Sequence, residues 1–184
     1  AASDVYKRQV YGEHEGGWVN EDTPPAPQGF NGRVLLEAEA ALAARGLSST
    51  SLRLAGLYGP GRLQLIERLR SGAAGAPVQP EHWANRIHID DAAAAVVHLA
   101  LLPDVDPVYI GCDDTPLPLH ALYADLAAMA GAPAPRIAPA PANVGSKKLS
   151  NARLRASGFT LRWPDSRAGY AAVSYTHLTL PTKA

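Results

Sequence analysis

The stretch Ser51-Leu-Arg-Leu-Ala-Gly-Leu-Tyr-Gly-Pro-Gly61 decides the fold class, because it joins a strand pattern to an abrupt stop. Apolar residues alternate well enough over residues 51–57 to predict a strand. Residues 58–61 hold two glycines and a proline and predict a sharp turn. Amphipathic helices are predicted on both sides, at residues 33–45 and 63–70, so the strand lies between two helices.

The same alternation continues towards the C-terminus. Further strands are predicted at residues 85–89 and 108–111, further helices at 92–102 and 117–130, and a last element at 149–157. Asn31 is predicted to cap the first helix and Asp90 or Asp91 the helix at 92–102. The fourth helix is predicted to turn its apolar residues inward, Met129 among them.

Strands that alternate with helices indicate an α/β fold with a parallel sheet. Only about three short strands are predicted here, whereas a doubly wound sheet uses about six. We therefore expect the C-terminal part of a doubly wound (Rossmann-like) parallel sheet, together with a small substrate-binding region. The other half of such a sheet would lie upstream of this chain.

Composition narrows the class of protein. The 184 residues are 47% hydrophobic and carry 17 basic and 17 acidic side chains, which suits one domain with a core. A net charge of zero argues against nucleic acid or an anionic membrane as a partner, because both select basic surfaces. Cys112 is the one cysteine, so an internal disulfide is excluded and we expect a cytoplasmic protein.

Both ends differ in composition from the body. Residues 3–9 and 174–184 resemble peptides that arise when sequencing-adapter DNA is translated conceptually. We therefore expect residues 1–9 and 173–184 to be artefacts, and residues 10–172 to be the domain. The alternative is that both are ordinary termini.

Five short motifs occur in a characteristic order: Val10-Tyr-Gly12, the quoted stretch through Gly61, Arg86-Ile-His-Ile-Asp-Asp91 before an alanine-rich helix, Tyr109-Ile-Gly111, and Ser150-Asn-Ala-Arg-Leu-Arg155 before Gly158. Together they resemble the extended short-chain dehydrogenase/reductase family, in its NAD-dependent epimerase/dehydratase branch. The resemblance implies NAD or NADP as the cofactor of the full-length parent and a small-molecule substrate, possibly a nucleotide sugar. It also allows a homodimer through the helix at residues 33–45.

The chain departs from that family in two respects. The Gly-x-x-Gly-x-x-Gly loop, which lets the backbone approach a pyrophosphate, is absent from the 184 residues. The family's Tyr-x-x-x-Lys pair is also missing. Alignment on Glu39 places Asn31 and Leu35 at its two positions, and alignment on Glu37 places Gly29 and Arg33 there.

The resemblance and these departures give the candidate site residues. Tyr11 is the candidate for the lost proton donor, against the alternative of a tyrosine packed at a strand end. Candidate cofactor-binding residues are Arg33, Leu54 and Ala55, and candidate substrate-binding residues are Arg62 and Arg86. His88, Asp90 and Asp91 are interpreted as structural, because a metal site needs three or four convergent ligands.

Two functions remain open. The first is an NAD(P)-dependent oxidoreductase, epimerase or dehydratase, truncated before its dinucleotide-binding loop. The alternative is a non-catalytic NAD(P)-binding regulatory or interaction module, which the missing Tyr-x-x-x-Lys pair favours. In either case we expect the chain alone to be inactive, with an exposed strand edge that is prone to aggregation.

Overall fold

The computed structural model describes residues 10–46 and 49–179. Its strands are β1 (Trp18–Val19), β2 (Ser51–Leu54), β3 (Gly56–Tyr58), β4 (Gly75–Ala76), β5 (Trp83–Ala84), β6 (Arg86–His88), β7 (Val108–Gly111), β8 (Leu117–Pro118), β9 (Arg136–Ile137) and β10 (Lys148–Leu149). Its helices are α1 (Phe30–Ala43), α2 (Gln64–Arg70), α3 (Ile89–Leu101), α4 (Leu119–Met129), α5 (Ala152–Ala156) and α6 (Ser166–Thr179).

Two parallel strand pairs form the frame of the fold. Strand β2 pairs with β7 from Ser51 opposite Val108 to Leu54 opposite Gly111, and β3 pairs with β6. Helix α3 links β6 to β7, which gives the strand–helix–strand order of an α/β protein. The α/β class and the parallel pairing predicted from the sequence are therefore confirmed.

The strand predicted at residues 51–57 is divided at Ala55. The Ala55 backbone N–H still donates to the carbonyl of Gly111 at 2.8 Å, whereas the Gly56 N–H donates to Asn85 at 3.1 Å. The chain thus leaves β7 and joins β6 within two residues. An alternating pattern cannot reveal this change of partner, because both halves are extended.

The cap predicted for α3 is wrong. His88 caps the helix, because its Nδ1 accepts the Asp90 backbone N–H at 3.1 Å. The buried Asp91 carboxylate turns the other way and accepts the N–H groups of Arg162 at 2.8 Å and Trp163 at 2.9 Å. Asp91 therefore fastens the loop before α6 to the start of α3.

Two boundary predictions and one burial prediction also need correction. Helix α1 begins at Phe30 with Gly29 as its cap, so Asn31 lies inside the helix. Residues 117–118 form β8, paired antiparallel with β5, so α4 begins only at Leu119. Met129, predicted to face inward, is 39% exposed because it lies in the last turn of α4.

The described residues form three hydrophobic clusters, of which two pack helices around Tyr11 and Tyr58. One packs α1 against the sheet through Leu35 and Leu36, and it contains Val10, Tyr11 and Ala55. The other joins α2, α4 and α6 around Tyr58. In the described part of the chain no helix is both long enough and apolar enough to cross a bilayer.

The described residues include the predicted C-terminal limit of the domain but not the segment before its N-terminal limit. Residues 1–9 lie outside the described residues. Helix α6 continues across residue 173, where the side chain of Val173 is buried. The limits 10–172 stay a prediction.

Candidate functional site

A hydrogen-bond network centred on the buried Arg53 links β2, α1 and the segment that contains Tyr11. The Arg53 guanidinium donates to both carboxylate oxygens of Glu39, from NH2 at 2.6 Å and from Nε at 3.1 Å. Its NH1 donates to the Tyr11 hydroxyl at 2.7 Å. Because Arg53 is 6% exposed and Tyr11 1% exposed, the bond between them is shielded from water, whereas the Glu39 side chain is 22% exposed.

The electrostatics of this group keep it in one protonation state. Burial raises the pKa of Tyr11, and the hydrogen bond from Arg53 offsets only part of that rise. Burial disfavours the charge on Arg53, but its bonds to Glu39 and Tyr11 outweigh burial and raise the pKa of Arg53. Tyr11 is therefore a neutral phenol held by a permanent cation near neutral pH.

The pairing of Arg53 with Glu39 was not predicted from the sequence. A charged residue in the middle of the apolar strand Leu52-Arg53-Leu54 was the available signal, since a buried guanidinium needs an acid. Choosing that acid requires knowing which side of α1 faces β2. Glu37 and Glu39 both lie on α1, and the structure turns Glu39 to the strand while Glu37 is exposed.

The predicted cofactor residues divide into two groups. Leu54 and Ala55 pack in the same cluster as Tyr11, at the end of β2 where the chain changes partner. Arg33 lies in the first turn of α1 and is exposed. The structure thus brings Tyr11, Leu54 and Ala55 together and leaves Arg33 at the surface.

The predicted substrate residues lie towards opposite ends of β3. Arg86 stands opposite Gly56, and a Cβ added to Gly56 would be 2.5 Å from NH1 of Arg86. Arg62 lies beyond the other end, where its N–H closes the turn on Gly59 at 3.0 Å. Both side chains are half-buried. They are not adjacent members of one cluster.

A cleft of about 500 Å³ opens beside β5. Its walls come from three separate segments, and the lining residues are Glu13, Glu15, Pro80, Glu81, His82, Trp83, Ala140 and Ser146. The indole of Trp83 also contacts the Lys148 ammonium, with Nζ 4.7 Å from the ring centre.

Ser146 and Lys147 hold the walls of this cleft together. The Ser146 hydroxyl accepts the Trp83 N–H at 3.3 Å and donates to the carbonyl of Glu81 at 3.0 Å. The buried Lys147 ammonium donates to the Gly12 carbonyl at 2.7 Å. The adjacent lysines at 147–148 stand out in the sequence. The sequence alone does not show that Lys147 is buried and bonded to the backbone, because an exposed pair of lysines would look the same.

Backbone donors also fix Glu13 in this wall. Its carboxylate accepts the N–H groups of Glu15 at 2.7 Å and Ser146 at 2.8 Å. Partial burial acts to raise the pKa of Glu13, but these backbone bonds outweigh it and lower that pKa below its usual value. Glu13 is therefore a carboxylate that organises the turn.

An aromatic stack encloses His88 on the other side of β3. Tyr58 stacks on Tyr170 with ring centres 4.2 Å apart, and it meets the edge of His88 at 5.1 Å. Burial lowers the pKa of His88, so the imidazole is neutral near pH 7 and can accept the Asp90 N–H. The interpretation of His88 as a structural residue fits this geometry.

Asp113 and Cys112 follow β7 and are both buried. Burial raises the pKa of Asp113 to about 8. Burial also raises the pKa of the Cys112 thiol, whose Sγ donates to the carbonyl of Leu149. In the parts of the chain that the structure describes, no group of three or more His, Cys, Asp or Glu side chains converges as metal ligands.

Comparison with known proteins identifies similar chains. No protein-family profile matches the chain. A solved structure from Methylobacillus flagellatus, assigned as an NAD-dependent epimerase/dehydratase, is 43% identical and superposes with a TM-score of 0.77 over 92% of this chain. The chain is therefore similar in sequence and fold to an NAD-dependent epimerase/dehydratase over nearly its whole length. The family resemblance drawn from the five motifs is thereby confirmed.

Two further relatives extend the comparison. Protein YeeZ of Escherichia coli (strain K12) is 32% identical over 160 residues, which are 85% of this chain and 56% of YeeZ. MoeE5, solved with UDP-glucuronic acid and NAD, is 26% identical with a TM-score of 0.78, over 94% of this chain and 63% of MoeE5. The chain spans 62% of the Methylobacillus protein, so each of these relatives is considerably longer.

Proposed function

We propose that this chain is the C-terminal part of an NAD(P)-dependent oxidoreductase, epimerase or dehydratase that acts on a nucleotide sugar or a similar small molecule. The observation that carries the proposal is the 43% identity to the Methylobacillus epimerase/dehydratase over 92% of this chain. MoeE5, at 26% identity, is solved with a nucleotide sugar and NAD, which supports that substrate class and cofactor. The lone cysteine and balanced charge support a cytoplasmic location.

The residues of this chain fit one side of a dinucleotide site. The phosphate-binding glycine loop is absent from the sequence, so the pyrophosphate would be held by an upstream segment. In the described residues only one edge of β2 is paired, with β7. Next to its other edge, α1 and Val10 border a cleft of about 260 Å³. An upstream strand in that cleft would complete the sheet.

Each candidate residue would then have a role in binding the cofactor or the substrate. NAD(P) supplies hydride transfer when it is bound. Leu54 and Ala55 would border the cofactor at the end of β2, and the exposed guanidinium of Arg33 would bind its ribose. Arg33 is not a proton-transfer base near neutral pH, because guanidinium stays protonated. Arg62 and Arg86 would meet the phosphates of the substrate from the two ends of β3.

Tyr11 is the proposed proton donor. Its neutral hydroxyl accepts from Arg53, which Glu39 holds from the opposite side. The phenol therefore keeps its own proton and a fixed orientation. Burial raises the pKa of Tyr11, and the Arg53 guanidinium offsets only part of that rise, so the phenol would give up its proton only to a strongly basic atom of the substrate.

Absorbance at 340 nm tests the proposed reaction in the longer reading frame that includes the upstream segment. With NAD⁺ or NADP⁺ and UDP-glucose or UDP-glucuronic acid, an oxidoreductase should show substrate-dependent reduction of the nicotinamide. Epimerisation and dehydration leave no net reduced cofactor, because their products have the oxidation level of the substrate, so chromatography of the sugar nucleotide measures turnover in those cases. Replacement of Tyr11 by Phe should lower kcat by about 10²-fold or more if Tyr11 transfers a proton. Normal turnover in the Tyr11→Phe protein would remove Tyr11 from this role.

A non-catalytic NAD(P)-binding regulatory or interaction module is the second candidate. It is favoured by the residues at the positions of the missing pair, either Asn31 and Leu35 or Gly29 and Arg33. None of these supplies a phenol. Reproducible binding of NAD(P) without turnover of any UDP-sugar would support this alternative, whereas hydride transfer would end it.

A further inference from the structure

Lys147 holds the peptide group that follows Tyr11, although its own side chain is 1% exposed. The ammonium group donates to the Gly12 carbonyl at 2.7 Å, to the Val144 carbonyl, and to the Gly145 carbonyl at 3.3 Å. An ammonium group has three N–H donors, and these carbonyls supply an acceptor for each. The charged end of Lys147 is therefore confined to one position.

Three successive carbonyl groups fix the main chain around Tyr11. The Val10 carbonyl accepts a backbone N–H at 2.9 Å. The Tyr11 carbonyl accepts from Nε2 of His14 at 2.8 Å. The Gly12 carbonyl accepts from Lys147, so each of the three has a separate donor. The backbone on both sides of the Tyr11 side chain is thus held in place.

The main chain of Lys147 is itself fixed to the sheet. The buried Asn85, which lies directly before β6, donates from its amide to the Lys147 carbonyl at 2.9 Å and accepts the Leu149 N–H at 2.7 Å. A Cβ added to Gly145 would lie 2.2 Å from the Gly12 carbonyl oxygen, so the two segments are in direct contact. Lys147 therefore connects the sheet to the turn after Tyr11.

Anchoring of residues 144–149 does not by itself explain a charge at this position. The segment is already held by Asn85 and by the parallel pairing of β10 with β1. An ammonium group is costly to remove from water, so its presence here requires a further reason. What the ammonium group of Lys147 adds is the bond to Gly12, next to Tyr11.

We propose that Lys147 is a positioning residue of the reaction. It fixes the main chain of Tyr11, as Arg53 fixes the hydroxyl group, so that the phenol meets the substrate in one orientation. The inference rests on the proposed role of Tyr11 as proton donor. Lys147 acts only through Tyr11, because its three donors are directed at carbonyl groups of the protein.

Fluorine NMR tests this role without an assay of turnover. 3-Fluorotyrosine is placed at position 11 in the protein encoded by the longer reading frame. Lys147→Met keeps the length of the side chain but removes the ammonium group, so the fluorine resonance should shift or split. Lys148→Met is the matched control and should leave the resonance unchanged, because the Lys148 ammonium lies over the Trp83 ring. A Lys147→Met spectrum identical to that of the unchanged protein would overturn the proposal.

Turnover of the sugar nucleotide gives the second readout. A displacement of ~1 Å can lower a rate about 10²-fold, so Lys147→Met should lower kcat by about 10- to 100-fold. KM should stay within about twofold, because substrate binding is not affected. In a Tyr11→Phe background the same change should lower kcat by less than about twofold, since Lys147 acts through Tyr11. Equal losses of kcat in both backgrounds would indicate a general structural effect and overturn the proposal.

Circular dichroism checks that each variant is folded. If Lys147→Met does not fold, Lys147→Arg replaces it in both measurements with the same expectations, because it keeps the positive charge but carries it on a longer side chain. Turnover that tolerates the change at Lys147 keeps the proposed function and overturns the positioning role. A longer protein without turnover removes the proposed function, and the fluorine spectrum then decides whether Lys147 positions Tyr11.

Discussion

At the residue scale, the Arg53 guanidinium is the side chain on which most of the candidate site depends. It joins Glu39 of α1 to Tyr11 through three hydrogen bonds of 3.1 Å or less. A charged guanidinium that is buried needs acceptor atoms of the protein, because its N–H groups cannot form hydrogen bonds with water. Tyr11 became a candidate because of its place in a motif, whereas its hydrogen bond to Arg53 fixes the orientation of its hydroxyl group.

Replacement of Glu39 by Gln should destabilise the fold by about 2 kcal/mol, because it leaves the buried Arg53 charge without its counter-ion. Urea unfolding measures the change. The control is Glu37→Gln, an exposed change on the same helix for which we expect less than about 0.5 kcal/mol. Equal losses from both variants would show that the ion pair contributes nothing.

Asp113 gives a prediction about pH. Its pKa is raised from 3.8 to about 8 in the folded protein, so folding binds a proton in that interval. The stabilisation is complete below pH 3.8 and is lost as the pH rises towards 8, with a slope of up to ~1.4 kcal/mol per pH unit from this group. An Asp113→Asn variant should lose that slope in urea unfolding between pH 5 and 8.

The exposed Asp104 supplies the control for Asp113. An Asp104→Asn variant should retain the pH dependence of the unchanged chain. The difference between the two stability curves isolates Asp113 from Glu13 and Asp165, whose pKa values are lowered and whose contributions have the opposite sign. Parallel curves for Asp113→Asn and the unchanged chain would contradict the assignment.

At the element scale, α6 is fixed to the body at its first turns. Asp91 accepts the backbone of Arg162 and Trp163 just before the helix, and the Tyr58 ring stacks on Tyr170 within it. Gly169 makes this approach possible, because a Cβ there would lie 2.1 Å from the Tyr58 hydroxyl oxygen. The close contact, and not backbone freedom, explains this glycine.

A Gly169→Ala variant should therefore be less stable by about 1–3 kcal/mol, since Tyr58 must move. Helix propensity alone predicts the opposite, a gain of about 1 kcal/mol. Thermal unfolding followed by circular dichroism distinguishes the two. A variant as stable as the unchanged chain or more stable would contradict the packing of Tyr58 against α6.

At the scale of the whole molecule, the sequence predicted the α/β class and the approximate positions of α1 to α4, but it did not predict α6. Residues 108–111 were predicted as a strand with the observed limits, because their apolar run is bounded by proline and aspartate signals. The division at Ala55 and the two-residue strands were not predictable. Both depend on which segments meet in space, and a pairing of two residues leaves no periodicity to detect.

The candidate site was predicted only in part. Tyr11, Leu54 and Ala55 were named from motifs and do lie in one cluster. Arg53, Glu39 and Lys147 were missed, because their importance comes from partners 14 to 135 residues away in the chain. Long-range pairing of buried charges is decided by tertiary packing, which local residue patterns do not encode.

Calorimetric titration with NAD⁺ and NADP⁺ tests whether the cofactor site is divided between this chain and an upstream segment. We expect binding at micromolar affinity or tighter by the longer reading frame, and no binding by the 184-residue chain alone. Micromolar binding by the 184-residue chain would contradict it, since the chain would then hold a complete site. Failure of the longer protein to bind either dinucleotide would contradict it as well.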